Sequence, residues 1–480
     1  MNNGVASNFL WTSLGLIGPL SARVSGSIPR RGVTGISIDT RTLGEGELFF
    51  AIKGPNSDGH DFVGAAFDKG AVAAVVDEPH ARVLKELGPL YVVNDVLPSL
   101  ERLGIAARER SNARIVAVTG SVGKTSTKEA LRLALAQTGA VHASIASYNN
   151  HWGVPLTLAR MPKDTAFGIY EIGMNHKGEI TPLAAMVRPH VAIITTVAPV
   201  HLEYFASVEE IADAKAEIFS GLVPGGVAII NCDIPQYDRL LAHAKESPAG
   251  FVARFGENER ADARLLRVTL GPDHSTVKAD ICGEELSYRL GAPGRHFAMN
   301  SLAVLLAAKA FGADVKCAAE ALASFTAQPG RGERLRLYAK GGPYTLIDES
   351  YNANPASMRA AIALAGSLPL QGTGRRIAVL GDMLELGHNG AAMHEELAGD
   401  LVANNIDLVF AAGPLSRHLY NALPRHMEGA SRERSSELAP VVASAVRGGD
   451  IVLVKGSNAI LMSVIVEALK KNSASGTQDF

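Results

Sequence analysis

The chain has 480 residues, 47% hydrophobic and 20% charged, with a formal net charge of −2. That composition is globular and excludes a long disordered chain, and a near-neutral balance without a basic tract gives a nucleic-acid partner no electrostatic support. At roughly 150 residues per domain the length points to about three domains.

The apolar stretch 9–20 has no Lys or Arg before it and is too short to span a bilayer, so it reads as a short helix packed on the first domain. Strands are expected over 35–39, 47–52 and 73–77, with a helix over 61–67, forming a small α/β unit. This unit carries polar clusters that a core does not need: Asp39-Thr40-Arg41, Lys53-Gly54 and Asp58-Gly59-His60. A second segment opens with a helix near 98–110 and continues with strands at 115–118, 167–171, 191–196 and 226–230, alternating with helices such as 208–222. That alternation predicts a parallel sheet covered on both faces. Residues 265–290 read as an antiparallel flap at its edge, and an apolar helix over 300–311 closes the segment. The third segment starts near Gln328-Pro329-Gly330 and has strands at 344–347, 376–380, 408–411 and 450–454. Gly381, Gly413 and Gly456 follow three of these strands, at the sheet edge where ligands bind. No G-x-G-x-x-G occurs there, so NAD or FAD is not indicated. The tail 473–480 is expected to be disordered. Cys232, Cys282 and Cys317 are far apart and read as reduced thiols of a cytoplasmic protein. The fold expected is α/β in three domains: 1–96, a central phosphate-loop domain over 97–326, and a Rossmann-like domain over 327–480. No membrane span is expected.

The most informative run is Thr119-Gly120-Ser121-Val122-Gly123-Lys124-Thr125-Ser126, between an apolar strand and an amphipathic helix. Strand, glycine-rich turn, Lys-Thr and helix form the layout of a phosphate loop, which predicts ATP or GTP binding. The glycines let backbone N–H groups close on phosphate, Lys124 reaches the terminal phosphates, and the Thr125 hydroxyl is placed to meet Mg²⁺. The loop is tighter than the common spacing, whose first glycine would fall at Val118.

Other candidates are ambiguous one at a time. Glu171, at a strand end beside the loop, reads equally as an Mg²⁺ ligand or a solvated acid. His201 reads as a surface or capping residue, or as a metal or phosphate contact at the same sheet edge. Lys215 alone reads as a solvated helix lysine. Arg331 and the pair Asp348-Glu349 have no single reading.

In order along the chain, the loop, Tyr170-Glu-Ile-Gly-Met-Asn-His-x-Gly-Glu179, His201-Leu-Glu203, Lys215-x-Glu-Ile218, Gly294-x-His-x-x-x-Asn300 and Gly330-Arg331 resemble the Mur ligase family, the ATP-dependent amide-forming enzymes of peptidoglycan precursor synthesis. Asp348-Glu-Ser-Tyr-Asn-Ala-Asn-Pro-Ala-Ser-Met358 resembles the members that join D-alanyl-D-alanine to a UDP-N-acetylmuramoyl-tripeptide. The resemblance implies a cytoplasmic monomer that phosphorylates the tripeptide carboxylate with ATP and passes the acyl group to the dipeptide amine. It implies Lys124, Glu171, His201 and Lys215 as catalytic. Thr125, Glu171, His201 and a CO₂-derived carbamate on Lys215 would hold Mg²⁺. It implies that residues 120–126, Asn300, Arg331, Asp348 and Glu349 bind ATP, that Thr40 and Arg41 bind the UDP part, and that Ser350, Asn352, Asn354 and Pro355 border the dipeptide pocket. Glu349 stands where the family usually has a second aspartate, so either Asp348 or Glu349 makes the nucleotide contact. Phe297 and Met299 flank Asn300 where polar neighbours are usual, which leaves the adenine side open. The rival readings are folylpolyglutamate synthase, which lacks a separate UDP-binding domain, and a regulatory phosphate-loop NTPase.

Overall fold

The computed structural model describes residues 9–30, 32–145, 147–200, 203–271 and 273–476. Among them, three large sheets follow one another along the chain in a three-domain α/β architecture.

The first sheet has five strands in the order Arg23–Ser25, Leu90–Val93, Ala73–Asp77, Leu48–Phe50 and Ile36–Ser37, with only Arg23–Ser25 antiparallel to its neighbour. The apolar N-terminal stretch forms the helix Ser13–Leu20, capped by the Thr12 side chain. Its Leu16 and Leu20 are fully buried with Trp11, Val33 and Tyr91, so apolar burial rather than membrane insertion explains the composition. The cluster near Asp58 is a structural knot. The Asp58 carboxylate meets the His60 backbone N–H and Nδ1, the latter at 2.6 Å, and His60 Nε2 accepts the Asp77 N–H at 3.2 Å. Both ring nitrogens are thus engaged, which leaves His60 no lone pair for a metal ion.

The central sheet has nine strands. At its heart Arg114–Thr119 lies between Phe167–Glu171 and Val191–Ile194, all parallel, so Thr119, Glu171 and Ile194 end at one edge. Gly226–Asn231 and Ala249–Gly256 extend it in parallel; the second of these was not expected from sequence. Ala263–Leu270, Ser275–Ile281 and Glu284–Leu290 follow as the expected antiparallel flap, and Val141–Ala143, parallel to Phe167–Glu171, forms the opposite edge. The helix Arg295–Ala310 starts before position 300, directly after Gly294, whose φ of 151° lets the chain enter it. The stretch 208–222 breaks into the helix Val208–Ala216 and a 3₁₀ turn, Glu217–Gly221.

The third sheet runs Glu333–Ala339, Gly342–Glu349, Ile451–Lys455, Arg376–Gly381, Leu408–Ala412 and Glu428–Arg432, parallel except for the first strand. The two outer strands were not expected, because their charged and small residues carry no apolar run. The tail differs from expectation as well. The helix Ser463–Gly476 passes position 473, and Ser473 Oγ accepts the Tyr338 N–H at 2.8 Å, which ties it to the sheet edge. Residues 477–480 lie outside the described residues. Among the described residues, no helix is long and apolar enough to cross a membrane.

Candidate active site

The C-terminal edge of the central sheet faces the third domain across a cleft of about 720 Å³. The phosphate loop forms one wall. Gly120 and Gly123 have φ of 149° and 87°, and neither position has room for a side chain. A Cβ at Gly120 would run into Thr195 Oγ1, and one at Gly123 would lie 2.5 Å from Asn300 Nδ2. Asn300 is thereby packed against the loop where the helix Lys124–Ala136 begins. Ser121 Oγ accepts the Ala198 N–H at 2.9 Å, and Thr195 Oγ1 donates to the Val122 carbonyl at 2.6 Å, so the neighbouring strand fixes the loop.

Lys124 curls over this loop and donates to the Gly120 carbonyl at 2.7 Å. Burial lowers its pKa first of all; nearby Glu171 opposes the shift and Arg331 adds to it. Thr125 Oγ1 donates to Glu171 Oε2 at 2.9 Å, and Asn149 Nδ2 donates to Oε1 at 2.8 Å. Glu171 is 1% exposed, so the reading of a solvated strand-end acid does not hold.

Lys215 corrects a second expectation. It is 2% exposed, not a solvated helix lysine. Burial, and then the charge of Lys124, push its pKa well below the ordinary lysine value. Among the described residues its amine has no carboxylate or hydrogen-bond partner. His201 lies outside the described residues.

The opposite wall comes from the junction and the third domain. Arg331 donates from Nη2 to Ser147 Oγ at 2.9 Å, and its guanidinium carbon lies 3.8 Å over the Tyr351 ring. Asp348 and Glu349 part company, as adjacent residues on a strand must. Asp348 is 3% exposed and spent on the backbone: it accepts the Gly330 N–H at 3.0 Å, the Ser350 N–H at 3.0 Å and the Ser350 hydroxyl at 2.6 Å. Glu349 lines the cleft and pairs with buried Lys455 at 3.2 Å. Lys455 also donates to the Asn352 carbonyl at 2.9 Å. Asn352 and Asn354 line the cleft, whereas Ser350 and Pro355 do not. Asn354 caps the helix Pro355–Ser367, and Pro355 is its first residue.

Thr40 and Arg41 are not part of this cleft. Arg41 is exposed and pairs with Asp39 at 2.7 Å, while the Thr40 carbonyl accepts from Lys69 at 2.8 Å. Sequence reasoning missed Ser147, Asn149, Tyr351 and Lys455 as cleft residues. Tyr351 stood inside a quoted motif; Lys455 directly precedes Gly456, and the signal for Asn149 was the polar run Tyr148-Asn149-Asn150.

Three family descriptions match the chain: "Mur ligase family, catalytic domain" over residues 32–137, "Mur ligase middle domain" over 118–308 and "Mur ligase, glutamate ligase domain" over 330–458. A UDP-N-acetylmuramoyl-tripeptide–D-alanyl-D-alanine ligase of Rickettsia prowazekii is 33% identical over 459 residues, 95% of this chain and 99% of the relative. Among solved structures, MurF from Acinetobacter baumannii is 28% identical with a TM-score of 0.82, covering 96% of this chain and 99% of that one. The MurF ligase of Thermotoga maritima in complex with ADP is 25% identical with a TM-score of 0.75, over 92% and 98%. Likeness of this extent, over a phosphate loop built as described, means that the chain belongs to the Mur ligase family.

Proposed function

We propose that this chain is an ATP-dependent ligase that joins D-alanyl-D-alanine to UDP-N-acetylmuramoyl-tripeptide in peptidoglycan precursor synthesis. The observation that carries this reading is the single cleft in which a phosphate loop, the Thr125–Glu171 pair and the turn holding Asn352 and Asn354 face one another. A tripeptide carboxylate oxygen attacks the γ-phosphorus of ATP, and the bond to ADP breaks. The dipeptide amine then attacks the acyl carbon, gives up a proton, and the acyl–phosphate bond breaks to release phosphate. Two anions must approach in the first step. Lys124 and the loop N–H groups offset that repulsion and hold the charge that develops on the transferred group.

Thr125 and Glu171 present oxygen donors side by side, a donor set suited to a hard dication such as Mg²⁺, with His201 as the further protein ligand. Bound there, Mg²⁺ supplies charge neutralisation between phosphate and carboxylate. Lys215 fits a carbamate: burial and then the charge of Lys124 disfavour its ammonium and so favour the free amine, whose nitrogen adds to CO₂, loses a proton and becomes an anionic oxygen donor. Asn300 and Arg331 hold the nucleotide phosphates from either side, and Glu349 rather than Asp348 meets the ribose. Asn352 and Asn354 border the dipeptide, with Ser350 and Pro355 shaping the turn behind them. Domain 1–96, through Thr40 and Arg41, takes the UDP end, domain 97–326 the phosphates, and domain 327–480 the rest of the nucleotide and the dipeptide.

Phosphate release by the purified protein tests this. Release is expected only when ATP, UDP-tripeptide and D-alanyl-D-alanine are all present. Release with ATP alone points to a regulatory NTPase, and release with a folate and glutamate to a folylpolyglutamate synthase; either overturns the proposal.

A further inference from the structure

Arg331 is held in an unusual way for a cleft arginine. Among the described residues it has no carboxylate partner, although Lys124, a second cation of the same cleft, lies close enough to be affected by its charge. Two like charges facing one cleft repel, and a free arginine side chain would swing away. What holds it is the face of Tyr351, 3.8 Å from the guanidinium carbon, together with Ser147 Oγ at 2.9 Å. The ring and the cation are pinned at their backbones too. The Tyr351 N–H donates to the Gly330 carbonyl at 3.0 Å, and the Gly332 N–H donates to the Asp348 carbonyl at 2.8 Å, so the two segments are fastened on both sides of Arg331.

A π face suits this position better than an acid does. A carboxylate would occupy guanidinium donors in a bidentate pair and cancel the charge that an incoming anion needs. A ring attracts the cation through its quadrupole and leaves the in-plane N–H donors free. We infer that Tyr351 is a positioning residue: its ring sets the Arg331 guanidinium across the junction, with its spare donors turned to the nucleotide phosphates, before ATP arrives. This rests on the proposed reading that Arg331 meets phosphate.

The test compares Tyr351→Leu, Tyr351→Phe, Arg331→Ala and the double variant Tyr351→Leu/Arg331→Ala in the full-length enzyme. The readouts are KM for ATP, KM for the dipeptide, kcat and melting temperature. Tyr351→Leu is expected to raise the KM for ATP about five- to twenty-fold, the size of one partly desolvated cation–π contact, with the dipeptide KM near wild type. Tyr351→Phe, which keeps the ring, is expected to restore the ATP KM to within about twofold. The double variant should be no worse for ATP than Arg331→Ala, because two residues acting through one contact are not additive. The positioning role fails if Phe is as damaging as Leu, if the double variant shows the product of the two single effects, or if Tyr351→Leu leaves the ATP KM unchanged while Arg331→Ala raises it. If Arg331→Ala itself leaves the ATP KM unchanged, the reading of Arg331 as a phosphate contact fails, and this inference falls with it. A melting temperature close to wild type in Tyr351→Leu is expected, since Tyr351 is 37% exposed.

Discussion

Thr125 Oγ1 donates to Glu171 Oε2 at 2.9 Å, which joins the first turn of the phosphate-loop helix to the end of the neighbouring strand. The pairing follows from topology. Phe167–Glu171 runs parallel beside Arg114–Thr119, so its last residue must end beside the loop that leaves Thr119. Glu171→Gln keeps the shape and the acceptor oxygen but removes the charge. Turnover is expected to fall by about 10²- to 10³-fold, with a higher Mg²⁺ concentration needed for half-maximal rate, because a dication loses an anionic ligand. A Glu171→Gln enzyme with unchanged turnover and Mg²⁺ dependence would remove Glu171 from the metal site.

Lys215 yields two opposed predictions. Lys215→Met is expected to abolish turnover, and a short carboxylic acid such as acetate at high concentration is expected to restore part of it in Lys215→Ala by taking the place of the carbamate oxygen. Stability should move the other way. The native amine, its pKa held well below the ordinary 10.5, resists a proton that the unfolded chain accepts. The unfolded state therefore binds more protons below pH 10.5, and native stability is lost as pH falls from there. Removing the amine removes that loss. In CO₂-free buffer Lys215→Met should melt higher than wild type at pH 7, with the gap closing toward pH 10.5. An equal gap at both pH values would mean that packing, not the buried amine, sets the difference.

The phosphate loop and the central strands were legible because their signals are local: β-branched runs, glycines where no side chain fits, and Lys-Thr at a helix start. Lys215 was not legible. Ala-Asp-Ala-Lys-Ala-Glu looks like a solvated helix face, and only the packing of that helix shows that position 215 points inward at 2% exposure. Asp348 and Glu349 were indistinguishable for a related reason. Adjacent strand residues point to opposite faces, and which face meets the cleft depends on a register that composition does not set. The outer strands Glu333–Ala339 and Glu428–Arg432 were invisible because edge strands bury one side at most and so carry charge.

The division between those two acids is open to experiment. Asp348 accepts three hydrogen bonds that hold Gly330 and Ser350, so Asp348→Ala leaves buried donors unmatched. It is expected to destabilise the protein by about 1–3 kcal/mol, the usual cost of an orphaned buried polar group. Glu349→Gln removes the charge partner of buried Lys455 and so should lower the melting temperature too, but it alone should raise the KM for ATP. Thermal melts with ATP kinetics on both variants would decide it; the reverse pattern would return the nucleotide contact to Asp348.

The junctions between domains differ in kind, and that difference predicts how the enzyme moves. The first domain shares an apolar core with the central one, since Leu156 and Ala159 are fully buried in the cluster that holds Leu16, Leu20 and Tyr91. Among the described residues no apolar cluster bridges the central and third domains. Hydrogen bonds cross there instead, such as Arg331 to Ser147 at 2.9 Å and the Glu203 N–H to the Glu385 carbonyl at 3.2 Å. Apolar cores repack only as units, whereas isolated hydrogen bonds exchange readily with water. Gly330 is itself fastened to Asp348 and Tyr351, so the third domain should swing about the residues just before it, around Gln328-Pro329, while the first stays fixed. Because each side holds only part of the proposed ATP site, nucleotide favours the closed form through contacts that exist only there. Small-angle scattering should show a smaller radius of gyration once an ATP analogue and the UDP-tripeptide are bound. Spin labels on the first and central domains should keep their separation. An unchanged radius with both ligands demonstrably bound, or a change in that separation, would show that the hinge is not at this junction.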